Sequence, residues 1–305
     1  MQLVMTNKAG LATQGVARIL AGCEIGEKIP TVAQLTEACD TARGNIQLAL
    51  AALKESGAVE VEAHGQSGTL LKRIDYIRLA KLCGVQNIIG AMPLPYTKRY
   101  EGLATGLFTL LNDGDLRTLI AFMRGSEARV QTLLEGNSSY CVMSRLAYED
   151  YRRRGNALQA VLDCGPQSYV GRHMLLLRPG FSGELSGCRV GIDDSSVDQS
   201  LLTKSYFAGK PVTFVSVQYT EILPMLLEGR LDAGIWNEDD LSVQNDVVQR
   251  QELELSEVEH GGTNAVVVVR KDDSLMLHLL QQYLHVGELL EIQRQVMQGT
   301  LTARY

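Results

Sequence analysis

The polar side chains between residues 43 and 54 are of the types that read DNA. Arg43, Gln47 and Lys54 fall at i, i+4 and i+11, which places them on one stripe of a helix, and Asn45 lies near its beginning. Arginine, asparagine and glutamine can pair with base edges, and cationic side chains can neutralise phosphates. The spacing predicts a helix that enters the major groove. The alternative is a solvated helix face that contacts another protein.

Two neighbouring segments supply further candidates for contacts with DNA. Thr31 begins the preceding helix, and the glycine-rich turn that follows the second helix is expected to touch the backbone beside the groove. The candidates in and around this turn are His64, Gln66, Ser67, Thr69 and Lys72.

A second group of candidates lies where strands are expected to end, in the last two thirds of the chain. Arg124 can bind two oxygens of a carboxylate or phosphate with its planar fork, or form a surface ion pair. Ser195 and Ser196 open a helix whose free amides could hold an anion, although these residues alone slightly favour a plain helix cap. Trp236 could stack on a ligand or pack between lobes. The candidate ligand-binding residues are Pro93, Tyr96, Arg124, Ser144, Arg145, Ser195, Ser196, Gln218, Tyr219, Trp236 and Asn237.

The first group of candidates is positioned by two helices and a hairpin within residues 26–73. Thr31 can cap the first helix and Gln34 can bond back to it, which is a capping box. Asp40 and Thr41 end that helix and offer caps for the next, expected over residues 42–56, and Gly57 fits its left-handed end. Alternating apolar and polar residues then predict two short strands around the turn. This order of elements is typical of a winged helix-turn-helix.

The segment resembles the GntR family of bacterial regulators. The resemblance rests on a Gly-Glu-Lys-hydrophobic-Pro entry at Gly26–Pro30, on Ala-Leu-x-x-Leu at Ala49–Leu53, and on a glycine-rich wing at Gly65–Thr69. It implies a winged helix that binds double-stranded DNA. The chain departs from the family at Gln47, where a second arginine is usual, and at Ala42, where a serine is usual, and both changes weaken the expected hold on phosphates.

Charge does not favour nucleic-acid binding by this head. Residues 1–73 contain seven lysines and arginines and seven aspartates and glutamates, so the formal charge of −6 belongs to the rest of the chain. Nucleic-acid binding usually depends on a basic surface that releases counterions. A neutral head must therefore concentrate its cations on one side.

From residue 76 onward, apolar runs alternate with helical periods, which predicts an α/β structure. An internal repeat supports a two-lobed architecture, because residues 133–143 (LLEGNSSYCVM) resemble residues 226–236 (LLEGRLDAGIW). Each segment ends a helix at glycine and enters a strand. The second segment resembles the helix-to-strand signature of type 2 periplasmic-binding-protein-like domains. The resemblance implies a small ligand between the lobes, gripped by hinge closure.

The whole chain resembles the YhfZ family, which joins a GntR-like head to such a pair of lobes. The expected fold is α/β, with an N-terminal winged helix-turn-helix domain and a two-lobed type 2 periplasmic-binding-protein-like domain. The sequence places the head at 1–73 and the ligand-binding domain at 74–305. The first lobe is expected at about 85–182 and 260–305 and the second at about 183–259, with the crossover near Gly180–Gly187.

Composition narrows the class of protein. A chain of 305 residues with 45% hydrophobic and 21% charged residues is expected to fold into compact domains. No apolar run is long enough for a membrane span and the first residues lack a secretion signal, so the expected location is the cytoplasm. The cysteines and histidines are scattered, which favours reduced thiols and predicts neither a metal nor a cofactor.

The leading hypothesis is a homodimeric transcriptional regulator that binds double-stranded DNA and responds to a small anionic or polar metabolite. The alternative is a metabolite-binding or interaction protein whose winged helix has lost specific DNA binding. An enzyme that uses the cleft is a third, weaker reading, because the sequence contains no nucleophile elbow, phosphate loop or dinucleotide motif.

Overall fold

The computed structural model describes residues 8–65, 68–112, 117–241 and 247–305. Contacts divide the chain into two compact units. The first contains the described residues of Met1–Ile88, Leu111–Thr118 and Lys271–Tyr283, and the second contains those of Ile89–Leu110, Leu119–Arg270 and Leu284–Tyr305.

The helices and strands are numbered in chain order. The helices are α1 Lys8–Ala21, α2 Val32–Ala38, α3 Arg43–Glu55, α4 Tyr76–Leu82, α5 Lys98–Leu111, α6 Ser126–Leu134, α7 Arg145–Arg153, α8 Val197–Tyr206, α9 Tyr219–Leu227, α10 Glu257–His260, α11 Ser274–Tyr283 and α12 Val286–Met297. The strands are β1 Val59–Ala63, β2 Thr69–Ile74, β3 Asn87–Met92, β4 Arg117–Phe122, β5 Tyr140–Ser144, β6 Leu158–Asp163, β7 His173–Leu177, β8 Arg189–Ile192, β9 Thr213–Ser216, β10 Ala233–Asn237, β11 Gln249–Glu252 and β12 Ala265–Arg270.

In the first unit, α2, α3 and the β1–β2 hairpin follow the predicted order. The capping box between Thr31 and Gln34 is present, and Gly57 ends the α3 region with a φ of 71°. The expected caps of α3 are wrong: its N-cap is Ala42, which makes no side-chain bond. Thr41 instead accepts a hydrogen bond from Asn45. This part of the chain is a helix-turn-helix with a wing, as predicted.

The first unit is larger than the predicted head, which ends at residue 73. Helix α1 packs on α3, and it also packs on α4 and α11. The rings of Tyr76 and His278 lie 5.2 Å apart in this cluster. Helices α4 and α11 were assigned by sequence to the ligand-binding domain, and their contacts place them with α1 instead.

The second unit is built on two five-stranded mixed sheets with the same topology. The first has the order β4-β3-β5-β12-β6, in which β3 and β5 are parallel while β12 runs antiparallel to β5 and β6. The second has the order β9-β8-β10-β7-β11, in which β8 is parallel to β9 and β10 while β7 runs antiparallel to β10 and β11. These sheets form the cores of the two predicted lobes.

The crossover between the lobes lies earlier than the sequence predicts. Strand β6 belongs to the first sheet and β7 to the second, so the chain crosses within 164–172 and returns within 253–264. The segment Gly180–Gly187, expected to be the hinge, connects β7 to β8 inside the second sheet. Its three glycines, Gly180, Gly183 and Gly187, all have positive φ and form turns there. The first lobe therefore ends before residue 173, because β7 pairs with β10.

The internal repeat lies at equivalent positions in the two lobes. Gly136 and Gly229, with φ of 75° and 69°, end α6 and α9, and the chain then enters β5 and β10. Each of these strands is the central strand of its sheet. The repeated tetrapeptide is therefore a helix end that the two lobes share.

Within the described ranges, no helix is long and apolar enough to cross a membrane. The six cysteines are free thiols. Burial raises the pKa of Cys141 and of Cys164 to about 12, so both thiols are protonated at neutral pH.

Candidate functional site

The predicted DNA-reading residues of α3 lie on its exposed face. Arg43, Gln47 and Lys54 are exposed, and the opposite face buries Ile46 and Leu53. Within the described part of the chain, neither Arg43 nor Lys54 has an ion-pair partner. Asn45 is half-buried and its side-chain amide donates to Thr41 Oγ1 at 3.0 Å. The free cations of α3 are thus at its two ends, and Asn45 is engaged locally.

Thr31 is used within its own helix. Its Oγ1 accepts a hydrogen bond from the backbone amide of Gln34 at 3.3 Å, and Gln34 Oε1 accepts one from the amide of Thr31 at 2.8 Å. Both residues are exposed. The structure therefore gives Thr31 a capping role whether or not it contacts DNA.

The cations of the wing are paired with acids of the same hairpin. Lys72 Nζ lies 2.6 Å from Glu62, His64 Nε2 lies 3.5 Å from Glu62, and Arg73 lies 2.6 Å from Glu60. The hydrogen bond and the charge of Lys72 lower the pKa of Glu62. Thr69 begins β2 and is half-buried, whereas Gln66 and Ser67 lie outside the described residues. A phosphate must compete with these glutamates for the cations of the wing.

A cavity of about 120 Å³ lies between the two sheets of the second unit. Its walls come from segments at the carboxyl ends of β3, β4, β8 and β10, where ligands of open α/β sheets are expected. The predicted ligand-binding residues that line it are Pro93, Tyr96, Arg124, Ser195, Ser196, Tyr219 and Asn237.

Ser144, Arg145, Gln218 and Trp236 do not line the cavity. Ser144 is buried, caps α7 by accepting from the amide of Ala147, and bonds Asp198. Arg145 forms an ion pair with Asp163. Trp236 stacks on Tyr219, with ring centroids 4.2 Å apart, so it supports a cavity residue from behind.

Arg124 joins the two lobes at the mouth of the cavity. It follows β4 of the first lobe, and its Nη1 donates to Gln218 Oε1 at 2.6 Å and to Thr220 Oγ1 at 3.4 Å in the second. Gln218 therefore acts as a partner of Arg124 rather than as a wall residue. The planar fork of Arg124 has further donors for oxygens of a ligand.

Two helices from opposite lobes begin at the cavity without a side-chain cap. The N-cap residues of α6 and α8 are Gly125 and Ser196, and neither makes a side-chain cap hydrogen bond. Asp193 fixes the loop before α8 by accepting from the amide of Ser195 at 2.9 Å and from the amide of Tyr219 at 2.8 Å. Uncapped amides at helix starts attract anions. Together with Arg124, they make this side of the cavity suited to an anionic group.

Sequence reasoning missed a buried arginine in the cavity wall. Arg129 is 3% exposed. It donates to the carbonyl oxygens of Val142 at 3.0 Å and Met123 at 2.9 Å, and to Tyr169 Oη at 3.2 Å. The sequence did contain one indication that Arg129 is buried. It lies three residues after Ser126, on the face of α6 that also buries Val130.

The cavity also contains titratable groups that the sequence did not single out. Burial lowers the pKa of His173 to about 4, so its imidazole is neutral at pH 7. Burial raises the pKa of Asp198 and of Asp240 to about 6. These residues were missed for different reasons: β7 was placed in the first lobe, and the two aspartates lie near helix starts, where acids are common.

Comparisons with known proteins agree with the two parts of the chain. Residues 24–71 match a family described as a helix-turn-helix domain, and residues 75–305 match the YhfZ C-terminal domain. The chain is 36% identical to YhfZ of Escherichia coli (strain K12) over 100% of both chains. It is 37% identical to the crystal structure of YhfZ from Shigella flexneri, with a TM-score of 0.64, over 72% of this chain and 94% of that one.

More distant solved structures resemble the second part of the chain in fold alone. An ancestral arginine-binding protein bound to arginine has a TM-score of 0.51 at 15% identity, over 70% of this chain and 96% of that one. The VFT2 domain of BvgS from Bordetella pertussis has a TM-score of 0.51 at 14% identity, over 70% of this chain and 95% of that one.

The fold therefore defines a protein that joins a helix-turn-helix domain to a periplasmic-binding-protein-like domain. The first domain suggests DNA binding, and the second suggests that a ligand binds. Both the expected fold class and the expected family are confirmed. The chain belongs to the YhfZ family.

Proposed function

We propose that this chain is a transcriptional regulator whose affinity for double-stranded DNA responds to a small anionic or polar metabolite bound between its lobes. The winged helix-turn-helix supplies the DNA-binding element, with α3 in the major groove and the hairpin beside it. The cavity between the two sheets supplies the ligand site. A regulator that acts on DNA works in the cytoplasm.

One observation carries the ligand-binding part of this proposal. The cavity is lined by both lobes, and Arg124 of the first lobe reaches Gln218 and Thr220 of the second across it. A ligand that binds Arg124 competes with these contacts or adds to them, so it changes the free energy of lobe closure. Domains of this kind move as hinges about their crossover segments, which here are residues 164–172 and 253–264.

The charge of the ligand follows from the groups around the cavity. The uncapped starts of α6 and α8 and the fork of Arg124 favour an anionic group. We propose a homodimer, because a two-fold dimer of GntR-like heads would read two half-sites spaced by one helical turn or a multiple of it. We also propose that the cleft binds its ligand without turning it over, and a metabolite screen for product formation tests that point.

The proposal is tested by selecting duplexes from a random-sequence library with the full chain and titrating the selected DNA in gel shifts at several salt concentrations. The expected result is a specific complex that weakens steeply with salt. Mass spectrometry of small molecules released from the purified protein, followed by gel shifts with and without them, tests the ligand response. Failure to select any sequence would contradict DNA binding.

A second candidate function is favoured by the charge of the head. The wing cations are paired with glutamates and residues 1–73 have no net charge. In this alternative, the chain is a metabolite-binding or interaction protein whose head has lost specific DNA binding. Arg43→Ala separates the two candidates, because it should abolish operator binding in a regulator and leave partner binding unchanged in an interaction protein.

A further inference from the structure

The exposed face of α3 includes an apolar side chain that no core contact explains. Leu48 is 63% exposed, next to the exposed Gln47 and followed one turn later by the exposed Ala51. The other side of the helix packs in the core, since Ile46, Ala49 and Leu53 are 0% exposed. Leu48 therefore points away from the core, on the exposed side of α3 and about 100° round the helix from Gln47.

Gly44 is a second unexplained residue on the same face. It lies in the first turn of α3, and a Cβ added there would meet no atom within 4 Å. Its φ is not in the left-handed region that favours glycine. Glycine destabilises a helix relative to alanine, so nothing within the described chain accounts for its use. A partner that approaches the helix backbone closely at Gly44 would account for it.

The charges on this face favour a polyanion as that partner. Arg43 and Lys54 stand at the two ends of α3 and have no ion-pair partner within the described residues, unlike the cations of the wing. The recognition helix of a helix-turn-helix lies in the major groove with its N-terminal residues against base edges, and Gln47 and Leu48 lie in the first half of α3. The apolar feature that the major groove offers is the C5-methyl group of thymine, and glutamine pairs with adenine.

We propose that Leu48 and Ala51 contact thymine methyl groups in the major groove, beside an adenine read by Gln47, so that the half-site of this protein contains A·T pairs under the middle of α3. This inference rests on the proposed DNA binding and adds to it the residues and the base chemistry of recognition. The thymine methyl, rather than the hydrogen-bonding edge alone, then contributes to specificity.

Uracil in place of thymine removes the methyl group and leaves every hydrogen-bonding group of the base pair intact. The experiment uses the full chain and a duplex selected from a random-sequence library, synthesised with thymine or with uracil at each A·T position of the half-site. For the native chain, we expect uracil at the contacted position to weaken binding about fourfold, which corresponds to the transfer of one methyl-sized group, about 0.8 kcal/mol. Leu48→Ala should weaken binding to the thymine duplex and should no longer distinguish thymine from uracil at the position that Leu48 contacts.

Leu11→Ala is the matched control, because Leu11 is a similarly exposed leucine, 55% accessible, on α1. It should leave both the affinity and the discrimination between thymine and uracil unchanged. Equal binding of the native chain to both duplexes, or full discrimination by Leu48→Ala, would overturn the inference while leaving DNA binding in place. A change of oligomeric state in Leu48→Ala with unaltered DNA affinity would instead identify this face as a protein interface. Failure to select any duplex would overturn the proposed function and this inference with it.

Discussion

At the scale of single residues, ion pairs within the wing change the contacts that its residue types alone would predict. Lys72 and His64 are of the types that contact phosphates, but both lie against Glu62. The side chains of Lys72 and Glu62 are about half exposed, so their attraction is screened by solvent and contributes little to stability. The pair can therefore open when a phosphate competes with the glutamate.

Glu62→Gln should release Lys72 and His64 for contact with phosphates. Binding to a labelled random-sequence duplex, measured by fluorescence anisotropy over a range of salt concentrations, should become tighter. The slope of log K against log salt should steepen by about 0.9 for each added phosphate contact.

Glu37→Gln is the charge-matched control, because Glu37 is exposed on α2. It changes the net charge equally and frees no cation of the wing. An equal gain in both variants would attribute the effect to overall charge, and no gain in Glu62→Gln would show that the wing does not touch DNA.

His173 makes the stability of the second unit dependent on pH. Burial lowers its pKa from 6.5 to about 4, and Asp239 only partly opposes this shift. As the pH falls from 6.5 to 4, the unfolded chain binds a proton that the folded chain does not, so the free energy of unfolding falls. His173→Gln removes the group that causes this loss. The free energy of unfolding of the native chain, relative to that of the variant, should therefore fall by about 3 kcal/mol as the pH is lowered from 6.5 to 4.

Urea unfolding at several pH values between 4 and 7 measures this difference. The comparison with a variant is needed because Asp198 and Asp240, whose pKa values are raised to about 6, act in the opposite direction: their contribution is lost as the pH rises through 6. A parallel pH profile for His173→Gln would show that His173 can take up its proton in the folded state.

At the scale of elements, α2 combines a structural and a proposed binding role in one residue. Thr31 caps α2 through a capping box with Gln34, which was predicted from their spacing. The cap alone accounts for a threonine at this position, so any DNA contact must be separated from it by experiment.

Thr31→Ala should lower the free energy of unfolding by about 1 kcal/mol, because a side-chain cap is lost. Thr31→Asp should keep the cap and the stability, while placing a negative charge at the start of α2. If Thr31 lies beside a phosphate, Thr31→Asp should weaken DNA binding more than Thr31→Ala does. Thermal melting and anisotropy titrations of the two variants distinguish these effects, and equal DNA affinities would remove Thr31 from the interface.

At the scale of the second unit, closure depends on a glycine where the lobes meet. Gly125 has a φ of 74°, and a Cβ there would lie 3.1 Å from the carbonyl oxygen of Ser195 in the opposite lobe. A side chain at this position would press against backbone rather than against a flexible side-chain end. A side chain at 125 therefore requires the backbone of Ser195 to move away by a few tenths of an ångström.

Gly125→Ala should hold the lobes apart, and Gly180→Ala is its matched control. Gly180 has a φ of 66° and open space around it, so both variants place a side chain at positive φ and only the first adds a contact between lobes. We expect faster amide hydrogen exchange around Ser195 and Ser196 in Gly125→Ala than in Gly180→Ala. Equal exchange in both variants would show that the loop of Ser195 yields without separation of the lobes.

The sequence determined those features that depend on neighbours along the chain. The capping box at Thr31, the glycine end of α3, most strand positions and the repeated Leu-Leu-Glu-Gly helix end are set by local backbone preferences and by the period of apolar residues. Residues at strand ends, such as Arg124 and Ser195, could be placed near the cavity because parallel strands end at one edge of a sheet.

Only the tertiary structure decided which side chains meet across the chain. The assignment of β7 to the second sheet depends on pairing with β10, some sixty residues later in the chain, and it moved the hinge and brought His173 into the cavity. Arg129 joined the cavity wall because carbonyl oxygens of other segments receive its hydrogen bonds. Strand pairing and side-chain contacts between distant segments leave no pattern among neighbouring residues. For that physical reason the residues at the edge of the cleft, such as Arg124, could be predicted from the sequence, whereas interior residues such as Arg129 and His173 could not.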